Sequence, residues 1–382
     1  MNRRPRVLHC ISHFALGGAE RVACSIMEAL RNEVDFSVFA VRGMIDDGVG
    51  PKMVERFHEL GIPTESGPRV PMRYGGMLTG AWSMARAIRR FDPDVVHLHA
   101  EVPESSYAVL SAISRTHRRR PTIRTVHNSK IWWFHEGVGR WCDRQLDRAR
   151  CITVSTVAQK EMMRLRSDSG GRPFERAPQI ILNGVTPAPT TKENYPASDL
   201  IEIMFGGRLD QQKGVDLIPE ILRRAKLPRG KRARLRIFGD GELRPILSDL
   251  SQSSPQGWTI ELNPPVTDFR QRLATADVLI MPSRFEGLPL TAVEACLAGT
   301  PIVATRSPGT IESLPENHPW LAMPDDAGDF AAVLSQALAD SESWSKVAAD
   351  CQEFAQNRFS IDKMSAAYAE VYSEIALDSV NS

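Results

Sequence analysis

Short, continuous apolar runs alternate with longer stretches of helical period along the whole chain. Runs at 6–12, 35–41, 94–100, 122–126, 151–155 and 179–182 fit strands buried on both faces. Between them, 19–31, 51–60, 78–91, 105–115, 139–149 and 156–167 predict helices. Residues 117–120 read as a cationic turn, and 167–172 as a Gly- and Ser-rich loop. The alternation pauses at 187–198, which is rich in Pro and Thr and reads as linker. It restarts with strands at 200–205, 234–238, 259–262, 276–281 and 301–305. Helices are predicted at 215–224, 242–250, 269–276, 290–298, 325–340, 350–359 and 361–377. Two successive strand–helix series predict an α/β protein of two doubly wound, Rossmann-like domains. The length of 382 residues agrees, because one core rarely holds so many. The expected division is a first domain at 1–185, a linker at 186–199 and a second domain at 200–355.

The candidate chemistry lies in the loops that leave these strands. In open α/β sheets, ligands bind at the carboxyl ends of strands. Gly206-Gly207-Arg208, followed by Lys213-Gly214, is a cationic, Gly-rich loop before a helix, which suits an anion. Pro282 to Gly287 leaves the next-to-last strand and opens the helix at 290–298, which Gly299 and Pro301 stop. Glu286 and Glu294 stand eight positions apart there, on roughly one side of any helical portion. Carboxylates in that place suit sugar or ribose hydroxyls better than phosphate. In the first half, Gly17-Gly18 lets a backbone approach a ligand closely at a helix start. His127 ends the strand at 122–126. His97 and His99 alternate onto one strand face and read as core or site lining, since no third metal ligand is placed. Arg69, Arg73 and Tyr74 fall in an irregular segment, and Lys130 to His135 is aromatic and basic.

These loops together resemble a known family. Glu286-Gly287-Leu288-Pro289-Leu290 with Glu294 is similar to the E-x7-E region of retaining glycosyltransferases with the GT-B fold. The group in question is glycosyltransferase family four. Gly17-Gly18-Ala19-Glu20, Asn183-Gly184-Val185 and the Arg208…Lys213-Gly214 loop resemble further motifs of that family. The resemblance implies two domains facing across a cleft, with the final helices, 356–382, crossing back to the first. It implies a nucleotide-diphospho-sugar donor in the second domain, UDP-sugar favoured over GDP-sugar, and an acceptor hydroxyl in the first. Glu286 would contact the donor sugar and Glu294 the ribose. Arg208 and Lys213 would clamp the diphosphate, together with the backbone from Gly287 through Leu288 and Pro289 to Leu290. Gly17 and Gly18 would lie under the donor phosphates, beside the acceptor. His127 would lie near the transferred sugar, as a base or as a positioning group. No cofactor and no carboxylate-held Mg2+ are expected. The chain departs from the family at Thr186, where Asp is common, and at Asn263-Pro264-Pro265, where prolines remove N–H donors near the base.

Charge adds a possible acceptor class. The net charge is +1, but residues 1–185 hold 28 Lys+Arg and 19 Asp+Glu, giving +9. The remainder holds 19 and 27, giving −8. Either the first half meets an anionic glycan, lipid-linked acceptor or membrane surface, or the two domains simply attract each other. Nucleic acid is not expected. The run at 7–11 is read as a first strand rather than a signal peptide, and a cytoplasmic protein with peripheral membrane contact is expected. Six unpaired cysteines suggest neither disulfides nor zinc. Two other functions fit the same scaffold: a nucleotide-sugar epimerase, or a non-catalytic glycan or nucleotide-sugar binder.

Overall fold

A computed structural model describes residues 3–15, 17–45, 49–71, 74–133, 135–187, 192 and 199–380. Leu16, the middle of the 43–50 loop, Arg73, Phe134 and most of the expected linker lie outside the described residues. The chain divides into two units, Met1–Gly184 with Ile361–Ser382, and Val185–Ser360.

The first unit runs β1 Arg6–Ile11, α1 Gly18–Leu30, β2 Asp35–Ala40, α2 Gly50–Glu59, β3 Thr64–Ser66, α3 Gly76–Phe91 and β4 Val95–His99. It continues with α4 Glu101–Ile113, α5 Arg115–Arg119, β5 Thr122–Val126, α6 Glu136–Gln145, β6 Arg150–Thr153, α7 Thr156–Ser169 and β7 Gln179–Ile180. Its seven strands are parallel in the order β3-β2-β1-β4-β5-β6-β7. The central strands are buried on both faces, so their sequences read as unbroken apolar runs.

The second unit contains β8 Leu200–Gly206, α8 Ile218–Arg224, β9 Arg232–Phe238, α9 Arg244–Gln252, β10 Trp258–Asn263, α10 Phe269–Leu273 and β11 Val278–Met281. After these come α11 Leu290–Ala298, β12 Ile302–Thr305, α12 Pro308–Ile311, β13 Leu321–Ala322, α13 Ala327–Ala339 and α14 Trp344–Arg358. Its parallel sheet runs β10-β9-β8-β11-β12-β13. The last helix, α15 Ile361–Val380, belongs to the first unit. Its Tyr368 and Tyr372 are sealed from solvent.

Several details differ from the sequence reading. The helix expected at 105–115 starts four residues earlier, because Ala100 takes a positive φ of 68° and turns the chain straight into α4. Of the cationic turn expected at 117–120, residues 117–119 instead belong to α5, whose start is capped by the Ser114 side chain accepting from the backbone N–H of His117. Residues 167–169, read as loop, extend α7 until Gly170 ends it in the left-handed region. The helix expected from 350 begins at Trp344, whose indole N–H donates to the Ala337 carbonyl at 2.8 Å. Edge strands β3 and β13 were not anticipated, since one is polar and the other spans two residues.

In both sheets the chain winds outward in two directions from the centre. The switch falls between β1 and β4 in the first unit, and between β8 and β11 in the second. In each unit by itself, the loops at the carboxyl ends of its two switch strands flank the place where such a sheet binds ligands.

Candidate active site

In the second unit, two loops meet at the switch. One leaves β8 and contains Gly206 to Gly214; the other leaves β11 and contains Pro282 to Pro289. Lys213 Nζ donates to Glu286 Oε1 at 2.6 Å across the two loops. The pair is largely buried, with side-chain exposures of 16% and 6%. Asp210 orients the lysine's loop by accepting from the Lys213 backbone N–H at 3.0 Å. Gln212 joins the same loops, because its amide donates to the Phe285 carbonyl at 3.2 Å and its own carbonyl accepts from Arg284 N–H. Arg284 forms a bidentate pair with Asp216 at 2.7 Å and also bonds Asp325. These ties hold both loops in one geometry before any ligand arrives.

Glycine is required where the loops pack. Gly214 has φ 66°, and a Cβ there would strike the Pro282 carbonyl. A Cβ on Gly309 would strike the carbonyls of Glu286 and Gly287. Phe285, Leu288 and Leu290 are buried beneath the second loop.

The helix α11 spans the expected residues, begins after Pro289 and carries no side-chain cap. Its first-turn N–H groups therefore offer positive potential at the end of Gly287-Leu288-Pro289-Leu290. Glu294 lies one turn into α11 and is fully buried. The structure thus brings Lys213 and Glu286 into contact. Arg208 remains 64% exposed, held by Gln212 at 2.9 Å and Asp210 at 3.3 Å.

In the first unit, Gly17 precedes α1 and Gly18 is its first residue, again without a side-chain cap. The two glycines differ. A Cβ on Gly17 would collide with the Glu20 carboxylate, whereas one on Gly18 would meet nothing within 4 Å. His13, which the sequence did not single out, sits in this loop beside Arg42 and Arg69. Burial first, then those two cations, bring its pKa down to about 4, so it is neutral at physiological pH. Strand-end position after β1 was the available signal.

His127 follows β5, is half-buried, and bonds His99 through Nε2 to Nδ1 at 3.0 Å. Burial lowers its pKa to about 3. One buried group extends this contact beyond the sequence reading. His9 of β1 supplies the missing third histidine, and the ligand atoms of His9, His97 and His99 lie within 4.8 Å of one another. All six of their ring nitrogens already have hydrogen-bond partners, so a metal ion there would have to displace some of them.

Of the three aromatics at 132–134, Trp132 is buried and Trp133 is 42% exposed, with Lys130 over its ring at 5.4 Å. One Asp-x-Asp triplet does occur, Asp92-Pro93-Asp94. It precedes the amino end of β4, opposite the ligand-binding edge, and Asp94 is bonded to Arg3 and to the Arg6 backbone N–H.

Each unit matches a different family description. Residues 16–185 match "Glycosyltransferase Family 4", and residues 201–340 match "Glycosyl transferases group 1". HepE of Anabaena, solved with UDP and glucose, superposes with a TM-score of 0.75 at 19% identity, covering 97% of this chain and 100% of that one. The fold is GT-B, and each unit matches a glycosyltransferase family. Curated relatives overlap it in part. An uncharacterized 41.2 kDa protein in the cps region of Klebsiella pneumoniae is 29% identical over 187 residues, 47% of this chain and 48% of that protein. The lipopolysaccharide core biosynthesis glycosyltransferase LpsE of Rhizobium meliloti is 29% identical over 227 residues, 58% and 63% of the two chains. The chain therefore spans about half to two thirds of the length of these relatives.

Proposed function

We propose that the chain moves a sugar from a nucleotide-diphospho-sugar to an acceptor hydroxyl with retention of configuration. The Lys213–Glu286 contact beside the uncapped start of α11 carries this reading. A cation and a carboxylate beside a helix start, at the switch of one sheet, suit a diphosphate and the hydroxyls of a sugar. In the reaction, the acceptor oxygen bonds to the anomeric carbon as the bond to phosphate breaks. The departing diphosphate gains charge and takes the acceptor's proton. Arg208, Lys213 and the first N–H groups of α11 would meet that charge without a metal. Glu286 would hold sugar hydroxyls, with Lys213 fixing its orientation, and Glu294 would accept from the ribose.

A UDP-sugar is favoured, and a structural neighbour was solved with UDP-glucose. Thermal-shift screening of UDP-, GDP- and ADP-sugars tests the donor. A binder at 100 times its dissociation constant adds about 2.7 kcal/mol. Product analysis with donor alone then separates transfer from epimerisation and from mere binding.

The two glutamates should separate by role. Glu294→Ala should weaken nucleotide affinity by about 1.5–3 kcal/mol for each charged hydrogen bond lost. Glu286→Ala should instead depress turnover and spare free-nucleotide affinity. Equal loss of nucleotide affinity in both variants would refute the division.

The acceptor is proposed to be a glycan or lipid-linked, in cell-surface polysaccharide or glycolipid synthesis, reached peripherally at the inner face of a membrane. The name of the Rhizobium relative points the same way. Leu78 and Trp82 of α3, with Tyr74 just before it, are 62–69% exposed. Arg86 lies over the Trp82 ring at 4.8 Å, and Arg89 and Arg90 follow. An exposed aromatic and apolar stripe ending in cations suits an anionic interface. No described helix is long and apolar enough to cross a membrane. Vesicles with anionic lipid should retain the protein at low salt and release it at high salt, and Trp82→Ala with Arg86→Ala should abolish capture. Capture that is indifferent to salt and to these substitutions would remove α3 from the proposal.

A further inference from the structure

The histidines of the first unit form one continuous hydrogen-bonded chain. His127 Nε2 meets His99 Nδ1 at 3.0 Å. His99 Nε2 meets His9 Nδ1 at 2.9 Å. His9 Nε2 meets the Tyr372 hydroxyl at 3.1 Å, and that hydroxyl meets His97 Nδ1 at 2.8 Å. His97 Nε2 meets Thr125 Oγ1 at 2.7 Å, and Thr125 Oγ1 meets the Tyr368 hydroxyl at 3.3 Å. Every member except His127 is buried.

Burial keeps the rings neutral, with His9 lowered to about 3 and both His97 and His99 lowered well below the ordinary value. A neutral imidazole has one N–H and one acceptor nitrogen, and a hydroxyl has one proton. Each link needs one proton, so the proton of one ring fixes that of a ring bonded to it directly. Because a hydroxyl oxygen can accept from both sides, more than two states make every link, but they differ in whether each buried hydroxyl proton finds an acceptor.

The far end decides between them. If the chain points away from His127, His97 donates to Thr125, Thr125 donates to Tyr368, and the buried Tyr368 hydroxyl has no acceptor; if Tyr372 or Thr125 instead accepts from both neighbours, its own buried proton has none. If it points toward His127, Tyr368 donates to Thr125, Thr125 to His97, His97 to Tyr372, Tyr372 to His9, His9 to His99, and His99 to His127. Every buried donor is then satisfied, which avoids a penalty of about 1–3 kcal/mol for an unmade bond.

We propose that this buried chain fixes His127 in the tautomer that carries its proton on Nδ1, so that His127 offers an N–H to an oxygen of a bound ligand. His127 then acts as a hydrogen-bond donor, not as a general base. Tyr372, His9, His99 and His97 are positioning residues acting through it. The inference rests on the proposed function only for the identity of that ligand, since the tautomer belongs to the free protein.

The test is nitrogen-15 NMR of the full chain labelled at histidine, with His127 assigned by comparison with His127→Gln. The expected result is one neutral ring protonated at Nδ1. In Tyr372→Phe or Thr125→Val the far end no longer selects a direction, and signals of both His127 tautomers should appear. A wild-type His127 protonated at Nε2 or doubly protonated would overturn the proposal. Stoichiometric metal on the purified protein, or a His127 tautomer unmoved in both variants, would do so equally. The wild-type spectrum suffices if a variant fails to fold. A protein that shows the Nδ1 tautomer yet transfers no sugar would overturn the proposed function and leave this inference standing.

Discussion

Replacing Lys213 by Ala should cut turnover by roughly two to three orders of magnitude, as loss of one preorganised charge-stabilising group does elsewhere. The Michaelis constant for donor should change much less, because in the proposed reaction the charge assigned to Lys213 grows as the glycosidic bond breaks. The structure adds a second reason for a large effect. Lys213 contacts Glu286 at 2.6 Å, and Glu286 is itself buried, so Lys213→Ala leaves a carboxylate without its partner beside the departing diphosphate. Lys213→Ala with Glu286→Gln removes that uncompensated charge and should recover part of the loss. Arg208→Ala should cost less, since Arg208 is mostly exposed and shares its loop with Gln212 and Asp210. Since cations of the chain are assigned the role of a metal, EDTA should leave the wild-type rate unchanged. Full turnover in Lys213→Ala, or an enzyme that stops in EDTA and recovers with Mg2+ or Mn2+, would show this assignment of the leaving-group chemistry to be wrong.

What was readable in the sequence follows from which interactions are local. Strand runs and the opening and closing of α11 were readable because burial on both faces and the Pro and Gly stops act over a few residues. The Gly-rich loop after β8 was readable as a cationic loop suited to an anion for the same reason. The Lys213–Glu286 contact was not, because it joins residues 73 positions apart whose loops meet only once β8 and β11 pair in register. His9 and Tyr372 were missed for a stronger version of that reason. The Tyr372–His9 bond spans 363 positions and requires both the β1–β4 pairing and the seating of α15. A histidine pair two apart on one strand announced a site without announcing its partners.

The largest expected effect on stability concerns a cluster the sequence did not suggest at all. Arg124 of β5 is fully buried, forks onto Glu104 of α4 at 2.9 and 3.0 Å, and bonds Asp143 of α6 at 2.8 Å. Asp143 also accepts from Arg166 of α7 at 2.7 and 3.0 Å and from the Ser169 hydroxyl at 2.6 Å. One carboxylate thus ties a strand to two helices of the first unit. Asp143→Ala leaves a buried guanidinium short of a partner and should cost about 3–5 kcal/mol. At about 2–4 °C per kcal/mol for a unit of this size, the transition of the first unit should fall by roughly 6–20 °C. Burial alone pushes the Asp143 carboxyl up, but Arg124, then Arg166 and Ser169, outweigh it, and the group ends below the ordinary carboxylate value. A depressed folded pKa stabilises above the unfolded value, about 3.9, and that contribution disappears as pH falls through the folded one. The gap in stability between wild type and Asp143→Ala should therefore be full at neutral pH and close in acid. Calorimetry of both proteins from pH 7 down to the acid limit checks it, and a gap that stays constant with pH, or a fall smaller than about 3 °C at neutral pH, would show that the cluster does not act through the Asp143 charge.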